Sequence, residues 1–137
     1  MKLFLDTNVI LDYICKREPF CNDADILFEM FERGIHKGVL SSLTIVNCAY
    51  ILHKVFAKRQ IKETIEWLCH DFEVTTIDRH SVLSANNNDV RDFEDAVQYF
   101  SSLPSFPDLI ITRDKQGFEG LGLPVMTPAE FVAESRK

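Results

Sequence analysis

Three aspartates lie at positions that a parallel α/β sheet is expected to bring to the carboxyl ends of its strands. Asp6 ends the first apolar run of the chain. Asp114 follows a later apolar run, and Asp95 lies near the start of the helical segment that precedes that run. Because side chains that follow the carboxyl ends of parallel strands gather at one edge of the sheet, we expect these acids to meet. Converging carboxylates repel one another unless a cation lies between them, and oxygen-only ligands select Mg²⁺ or Mn²⁺ over Zn²⁺.

Short polar side chains accompany these acids. Thr7 and Asn8 follow Asp6 directly, and Thr112 precedes Asp114 by two positions. These side chains can hold a carboxylate in one rotamer, position a water molecule or bind phosphate oxygens. A magnesium site of this kind polarises a phosphodiester and activates water as the nucleophile. The group therefore predicts phosphodiester hydrolysis.

Further polar residues flank the predicted site. Asn47, in the first turn of the helix after the second strand, is expected at the same sheet edge. Arg113 and Lys115 flank the third aspartate and are candidates for phosphate contact. Asp92 and Asp12 are additional acids nearby, which we expect at the surface or at helix caps. We assign Asn47 and Asp92 a supporting role.

The elements that must position these residues alternate between strand and helix. Apolar or β-branched runs predict strands within residues 2–6, 39–40, 72–77, 109–112 and 124–126. Helical periodicity occupies most of the intervals between them. This alternation predicts an α/β fold with a parallel sheet that is covered on both faces by helices.

Capping residues predict where the helices begin. Asn22 or Asp23 is expected to cap the second helix, and Ser42 or Thr44 the helix after the second strand. Thr127 starts the last helix with a capping box. If the helix after the second strand continues far enough, lysines spaced four residues apart form one basic stripe on it: Lys54, Lys58 and Lys62.

Composition limits the classes of function. A chain of 137 residues, of which 46% are hydrophobic, predicts a single domain spanning residues 1–137. Its net charge of −6 disfavours bulk electrostatic adhesion to nucleic acid, so a polyanion must be held locally through a metal. Asp6 and Asp12 interrupt the apolar start, and no apolar run reaches the roughly 18 residues of a membrane span. We therefore expect a soluble, cytoplasmic protein with reduced cysteines.

The order of these motifs resembles that of the PIN-domain nucleases, especially the small bacterial VapC-like toxin ribonucleases. The matching segments span nearly the whole chain and comprise residues 5–9, 41–44, 92–96, 111–114 with Phe118, and 124–128. The resemblance implies a three-layer α/β/α sandwich with a central parallel sheet, and metal-dependent hydrolysis of single-stranded or structured RNA. It also implies that Asp6, Asp95 and Asp114 are catalytic, metal-binding acids. A cognate antitoxin and a second copy of the chain are candidate partners.

One position departs from the pattern of that family. The family usually has a glutamate in the helix that follows residues 41–44, and the corresponding residue here is Asn47. An asparagine carbonyl still binds a water molecule or a metal, but it carries no charge and cannot act as a base. The loss of this charge disfavours two-metal occupancy and full activity in this chain.

Three functions remain. The first, which we favour, is a Mg²⁺- or Mn²⁺-dependent endoribonuclease that serves as the toxin of a toxin–antitoxin pair. The second is a catalytically degenerate PIN domain that binds RNA or a protein partner without cleaving, which Asn47 favours. The third is a receiver-like or phosphatase-like domain with Asp6 as phosphoacceptor. This third function is disfavoured because the segment after Asp6 lacks the second aspartate of the haloacid-dehalogenase-type pattern.

Overall fold

The computed structural model describes residues 1–137, in which five strands and seven helices alternate. The strands are β1 (Lys2–Leu5), β2 (Lys37–Ser41), β3 (Glu73–Thr75), β4 (Leu109–Ile111) and β5 (Val125–Met126). The helices are α1 (Thr7–Ile14), α2 (Cys21–Glu32), α3 (Ser42–Leu52), α4 (Lys58–Asp71), α5 (Arg79–Asn87), α6 (Phe93–Ser102) and α7 (Pro128–Ser135). Two short 3₁₀ turns, Leu103–Ser105 and Lys115–Phe118, flank β4.

All five strands are parallel and lie in the order β3-β2-β1-β4-β5. Leu3 in the central strand lies opposite Gly38 on one side and Leu109 on the other. The chain therefore leaves β1 toward β2 on one side and later returns to pair with β1 on the other side. Such a reversal of strand order opens a crevice at the carboxyl end of the central strand, where α/β sheets bind their ligands.

Alternate residues of the central strands pack into two separate cores. Leu3 and Leu5 belong to a larger core that includes residues of α1 to α4 and α7. Phe4 and Ile110 belong to a smaller core with Tyr99 of α6. Because successive side chains of a strand point to opposite faces of the sheet, these two cores lie on opposite faces. The fold is a three-layer α/β/α sandwich, which confirms the predicted architecture.

The structure corrects two predicted helix starts. α2 begins before the predicted caps Asn22 and Asp23, because the turn that precedes it already has helical backbone angles and no side-chain cap starts the helix. The cap of α3 is Ser41 rather than Ser42 or Thr44. Ser41 ends β2 with an extended backbone, so its Oγ is free to accept the N–H of Thr44 at 3.1 Å.

Two further differences concern polar segments. α3 ends at Leu52 and α4 begins at Lys58, so the three lysines do not form the predicted stripe on one helix. Lys54 lies between the two helices, whereas Lys58 and Lys62 both lie on α4. The sequence did not predict α5 (Arg79–Asn87). Only Ser81 and Ala85 are buried in this helix, so it has no apolar stripe that periodicity could detect.

The last helix confirms its predicted start. Thr127 Oγ1 accepts the N–H of Glu130 at 3.1 Å, and Glu130 Oε1 accepts the N–H of Thr127 at 3.1 Å, which completes the capping box. The four cysteines are free thiols, as expected. None of the helices combines the length and apolar character that crossing a membrane requires.

Candidate active site

Asp6 lies at the carboxyl end of the central strand and caps α1. Its Oδ1 accepts the N–H of Thr7 at 2.7 Å, and its Oδ2 accepts the hydroxyl of Thr112 at 2.8 Å. Asn8 Nδ2 donates to the same Oδ2 at 3.4 Å. The side chain is 8% exposed, so these donors replace water and hold the carboxylate in one rotamer. Burial raises the pKa of Asp6, while the Thr112 hydroxyl and the Thr7 amide oppose that shift.

Thr112 connects Asp6 to the third predicted aspartate. The Thr112 hydroxyl donates to Asp6 and accepts the N–H of Asp114 at 3.1 Å. Asp114 follows β4 and is exposed. One buried hydroxyl therefore fixes both the first carboxylate and the backbone that carries Asp114.

Asp95 approaches from the other face of the sheet, in the first turn of α6. Its N–H donates to Asp92 at 3.0 Å, so Asp92 is the helix cap that the sequence suggests. The Asp95 side chain packs against Gly117 in the 3₁₀ turn after β4, where a Cβ atom would overlap Asp95 Oδ2. Glycine at this position lets α6 approach the turn that begins with Asp114.

The pKa of Asp95 is raised by burial and by the negative charges of the neighbouring acids. Burial is the main cause that raises this pKa from 3.8 to about 7, and the next cause is the carboxylate of Asp6. Asp92, Glu94 and Asp114 raise it further. Two of the predicted acids thus disfavour ionisation of the third, as expected for carboxylates that converge without a counter-charge.

The acids converge only in part. Asp6, Asp95 and Asp114 lie at the same edge of the sheet, but the structure contains no group of three His, Cys, Asp or Glu side chains that could hold a metal ion as placed. None of these three acids forms a salt bridge with a lysine, arginine or histidine. Their negative charge is therefore not neutralised by the protein.

The basic residues beside Asp114 have partners within the protein. Arg113 donates to both carboxylate oxygens of Asp12, at 2.6 and 3.2 Å, and its guanidinium lies 4.0 Å from the ring centre of Phe20. Lys115 pairs with Glu130 at 2.9 Å. Asp12, expected at the surface or at a cap, is instead 1% exposed because this ion pair replaces its hydration. Phosphate contact by Arg113 and Lys115 stays a prediction, and such contact would compete with these pairs.

Asn47 lies at the site together with an acid that the sequence analysis missed. Asn47 Nδ2 donates to Glu94 Oε1 at 3.1 Å, and both side chains line a cavity that Asp6 also lines. Glu94 precedes Asp95 in the first turn of α6. The sequence shows that Glu94 is next to Asp95, but it does not show that α6 lies close enough to α3 for Glu94 to contact Asn47. A carboxylate, that of Glu94, therefore lies directly beside Asn47.

Comparisons with solved structures agree with this architecture. A toxin–antitoxin complex from Klebsiella pneumoniae matches with a TM-score of 0.67 and 21% identity, over 92% of this chain and 97% of that chain. VapBC2 from Rickettsia felis, bound to a DNA fragment from its promoter, matches with a TM-score of 0.65 and 14% identity, over 93% and 98%. FitAcB from Neisseria gonorrhoeae matches with a TM-score of 0.64 and 16% identity, over 93% and 98%. At these identities the likeness concerns the fold alone.

A comparison with curated protein sequences finds no match. The model of one protein family, described as the PIN domain, matches residues 2–116. This match covers most of the chain and includes all three predicted aspartates. The chain therefore belongs to the PIN domain family.

Proposed function

We propose that this PIN domain is a divalent-metal-dependent endoribonuclease that hydrolyses RNA phosphodiester bonds, and that it is the toxin of a toxin–antitoxin pair. The observation that carries the proposal is the group of unpaired acids at the carboxyl edge of the sheet. Asp6 and Asp114 raise the pKa of Asp95, and no basic side chain forms an ion pair with any of the three. A site of this charge in a crevice is suited to a cation and, through it, to a phosphate.

The donor set fits Mg²⁺ or Mn²⁺. Asp6, Asp95 and Asp114 offer only oxygen, which is the ligand atom that these hard cations prefer, and Glu94 adds a fourth carboxylate. These acids are the residues that would hold the ion. Because the side chains do not form a finished ligand group as placed, ion binding requires that they draw together.

Each residue has a definite task in hydrolysis. A bound divalent cation supplies positive charge to the phosphoryl oxygens and makes water more acidic. Thr112 holds the Asp6 carboxylate and the backbone of Asp114 in place, so drawing the acids together requires movement of the Asp95 and Asp114 side chains and not of Asp6. Asp95 would be an ionised ligand in the loaded site, because a cation beside its carboxylate opposes the burial and the neighbouring carboxylates that raise its pKa to about 7 without metal. Water adds to phosphorus and loses a proton to solvent, the bond to the leaving oxygen breaks, and that oxygen receives a proton from solvent.

A second candidate is a degenerate PIN domain that binds RNA or a protein without cleaving. The observation that favours it is Asn47, which hydrogen-bonds Glu94 where the family usually has a glutamate. An amide cannot accept a proton as a base. Under this alternative, Glu94 serves to hold Asn47 rather than an ion.

The partner and location follow from the same assignment. The similar solved structures include toxins in complex with antitoxins, so we propose a cognate antitoxin as the protein partner and a second copy of the chain as a further partner. We place the protein in the cytoplasm, where RNA substrates are available.

The test is cleavage of mixed RNA by the purified protein with Mn²⁺ or Mg²⁺. We expect cleavage by the wild type, which EDTA and Asp6→Asn abolish. Asp89→Asn is the matched control, because Asp89 is an exposed acid outside the site, and it should cleave like the wild type. Cleavage by Asp6→Asn at the wild-type rate would contradict the proposal. RNA binding with no cleavage at any metal concentration would favour the degenerate domain.

A further inference from the structure

A cavity of about 410 Å³ beside Asp6 has walls of three chemical kinds. Asp6 and Glu94 form an acidic wall. Arg17, from the turn after α1, supplies a guanidinium, and Tyr50, on α3, supplies an aromatic ring. The proposed hydrolysis uses the acidic wall only, so Arg17 and Tyr50 have no assigned task.

The Arg17 guanidinium is available to a ligand. Its nearest acid is Asp12, whose Oδ1 lies 3.9 Å from Arg17 Nη1, at the outer limit of an ion pair. Asp12 already accepts two hydrogen bonds from Arg113. The Arg17 side chain is 38% exposed and makes no hydrogen bond within the protein, so its five N–H donors remain for water or an anion.

The Tyr50 ring is also largely exposed to solvent. It is 73% exposed, although burial is the usual state of such a large apolar surface. Its hydroxyl makes no hydrogen bond within the protein. Tyr50 lies three residues after Asn47 in α3, so the two side chains share one face of the helix, next to Glu94. Lys54 Nζ lies 5.8 Å from the centre of the ring, which adds positive charge on this side.

A guanidinium and an exposed aromatic ring lie beside the proposed phosphodiesterase site. They are complementary to the phosphate and the base of a nucleotide, respectively. Guanidinium groups bind phosphate through paired N–H donors, and aromatic rings stack on unpaired bases. We propose that Arg17 and Tyr50 form a subsite for one nucleotide of single-stranded RNA, in which Arg17 contacts a phosphate and Tyr50 stacks on the base. This inference rests on the proposed function and adds the residues that would bind one nucleotide beside the acids. That nucleotide must be unpaired, because a base within a duplex has no free face to offer Tyr50.

Binding of a short, fluorescently labelled single-stranded RNA of mixed sequence tests the subsite. The measurement is fluorescence anisotropy with millimolar Ca²⁺, which we expect to occupy the carboxylate site without supporting hydrolysis. Tyr50→Ala should weaken binding about tenfold, whereas Tyr50→Phe keeps the ring and should bind like the wild type. The same RNA annealed to its complement should bind more weakly, and Tyr50→Ala should leave that binding unchanged.

The salt dependence of binding isolates the role of Arg17. Arg17→Gln should reduce the slope of log affinity against log salt concentration by about 0.7, the value for one phosphate contact on a single strand. Arg59→Gln is the matched control. Arg59 pairs with Glu63 on α4 and is 89% exposed, so its loss changes the net charge equally and should leave the slope unchanged.

The outcomes separate this inference from the proposed function. Wild-type cleavage with Mn²⁺ tests the function, and the binding data in Ca²⁺ test the subsite. With active wild type, Tyr50→Ala and Arg17→Gln should raise KM more than they lower kcat. Wild-type affinity in Tyr50→Ala, or equal salt slopes for Arg17→Gln and Arg59→Gln, would overturn the subsite. Tyr50 would then belong to a protein-binding surface.

Discussion

Arg113 Nε donates to Asp12 Oδ2 at 2.6 Å, and this pair ties the end of β4 to α1. Asp12 is almost fully buried, and Arg113 lies between Thr112 and Asp114 in the chain. The backbone N–H of Arg113 also donates to Asn8 Oδ1 at 3.3 Å. The segment that carries the third aspartate is therefore anchored to the helix that Asp6 caps.

Loss of this pair should cost stability. Arg113→Met leaves the Asp12 carboxylate buried with only the distant Arg17, and we expect the free energy of unfolding to fall by about 3 kcal/mol. Urea denaturation measures the change. Arg59→Met breaks an exposed pair and should cost far less. Equal losses in both variants would contradict a special role for the Asp12 pair.

Added Mn²⁺ should stabilise the folded protein. A cation that binds only the folded state raises the melting temperature by mass action. We expect a shift with millimolar Mn²⁺ for the wild type and a clearly smaller shift for Asp95→Asn, measured by thermal melting. Asp89→Asn serves as the control and should behave like the wild type. Equal shifts in wild type and Asp95→Asn would refute a site that includes Asp95.

The raised pKa of Asp95 predicts how stability depends on pH without metal. The pKa of this carboxyl is about 7 in the folded protein and 3.8 ordinarily. Between these values the folded state binds more protons than the unfolded state, so stability falls as pH rises from about 4 to about 7. Asp95→Asn removes this loss. Urea unfolding of both proteins in EDTA, from about pH 5 to 8, should show a steeper decline for the wild type, and parallel curves would contradict the prediction.

Asn47→Glu should have opposite effects on metal binding and on stability. It adds a carboxylate where Asn47 now hydrogen-bonds Glu94, so the metal-free protein should melt at a lower temperature. The same added charge should strengthen Mn²⁺ binding. In the double variant Asn47→Glu/Glu94→Gln, the amide at position 94 can donate to the carboxylate at position 47. This variant should therefore recover the melting temperature of the wild type. Titration calorimetry and melting measure the two effects, and unchanged Mn²⁺ affinity in Asn47→Glu would place position 47 outside the site.

Gly117→Ala should disturb Asp95 through a single methyl group. The added Cβ would overlap Asp95 Oδ2, so the carboxylate must leave its present position. We expect weaker Mn²⁺ binding, measured by titration calorimetry. The matched control is Gly34→Ala, which meets no atom nearby but has φ of +72°, so it should affect stability and not metal affinity. Wild-type affinity in Gly117→Ala would show that the position of Asp95 is not needed.

The fold and part of the site could be predicted from the sequence because they depend on local signals. Asp6 and Asp114 follow buried strands, and Asp92 and Thr127 carry recognisable caps. The positions of Asp6 and Asp114 at one edge of the sheet follow from its parallel topology alone. The assignment of catalytic and metal-binding roles to the acids stays a prediction.

Contacts between distant segments could not be predicted in this way. The Asp12 pair with Arg113 spans 101 positions, and the Asn47 bond to Glu94 spans 47. Periodicity places each residue on an element, but it does not show which side chains of two elements touch. The helix α5 was not predicted for a different reason. Its buried residues, Ser81 and Ala85, are small and do not form an apolar periodic pattern.

The hydrogen bond between Thr112 and Asp6 spans 106 positions, and this separation has a consequence for protein synthesis. Asp6 is synthesised 106 residues before the hydroxyl that fixes its carboxylate. β4, which completes one side of the central strand, directly precedes that hydroxyl in the chain. A nascent or truncated chain that stops before Thr112 therefore cannot assemble the acids. For the proposed nuclease, cleavage therefore requires that the chain be synthesised at least as far as Asp114.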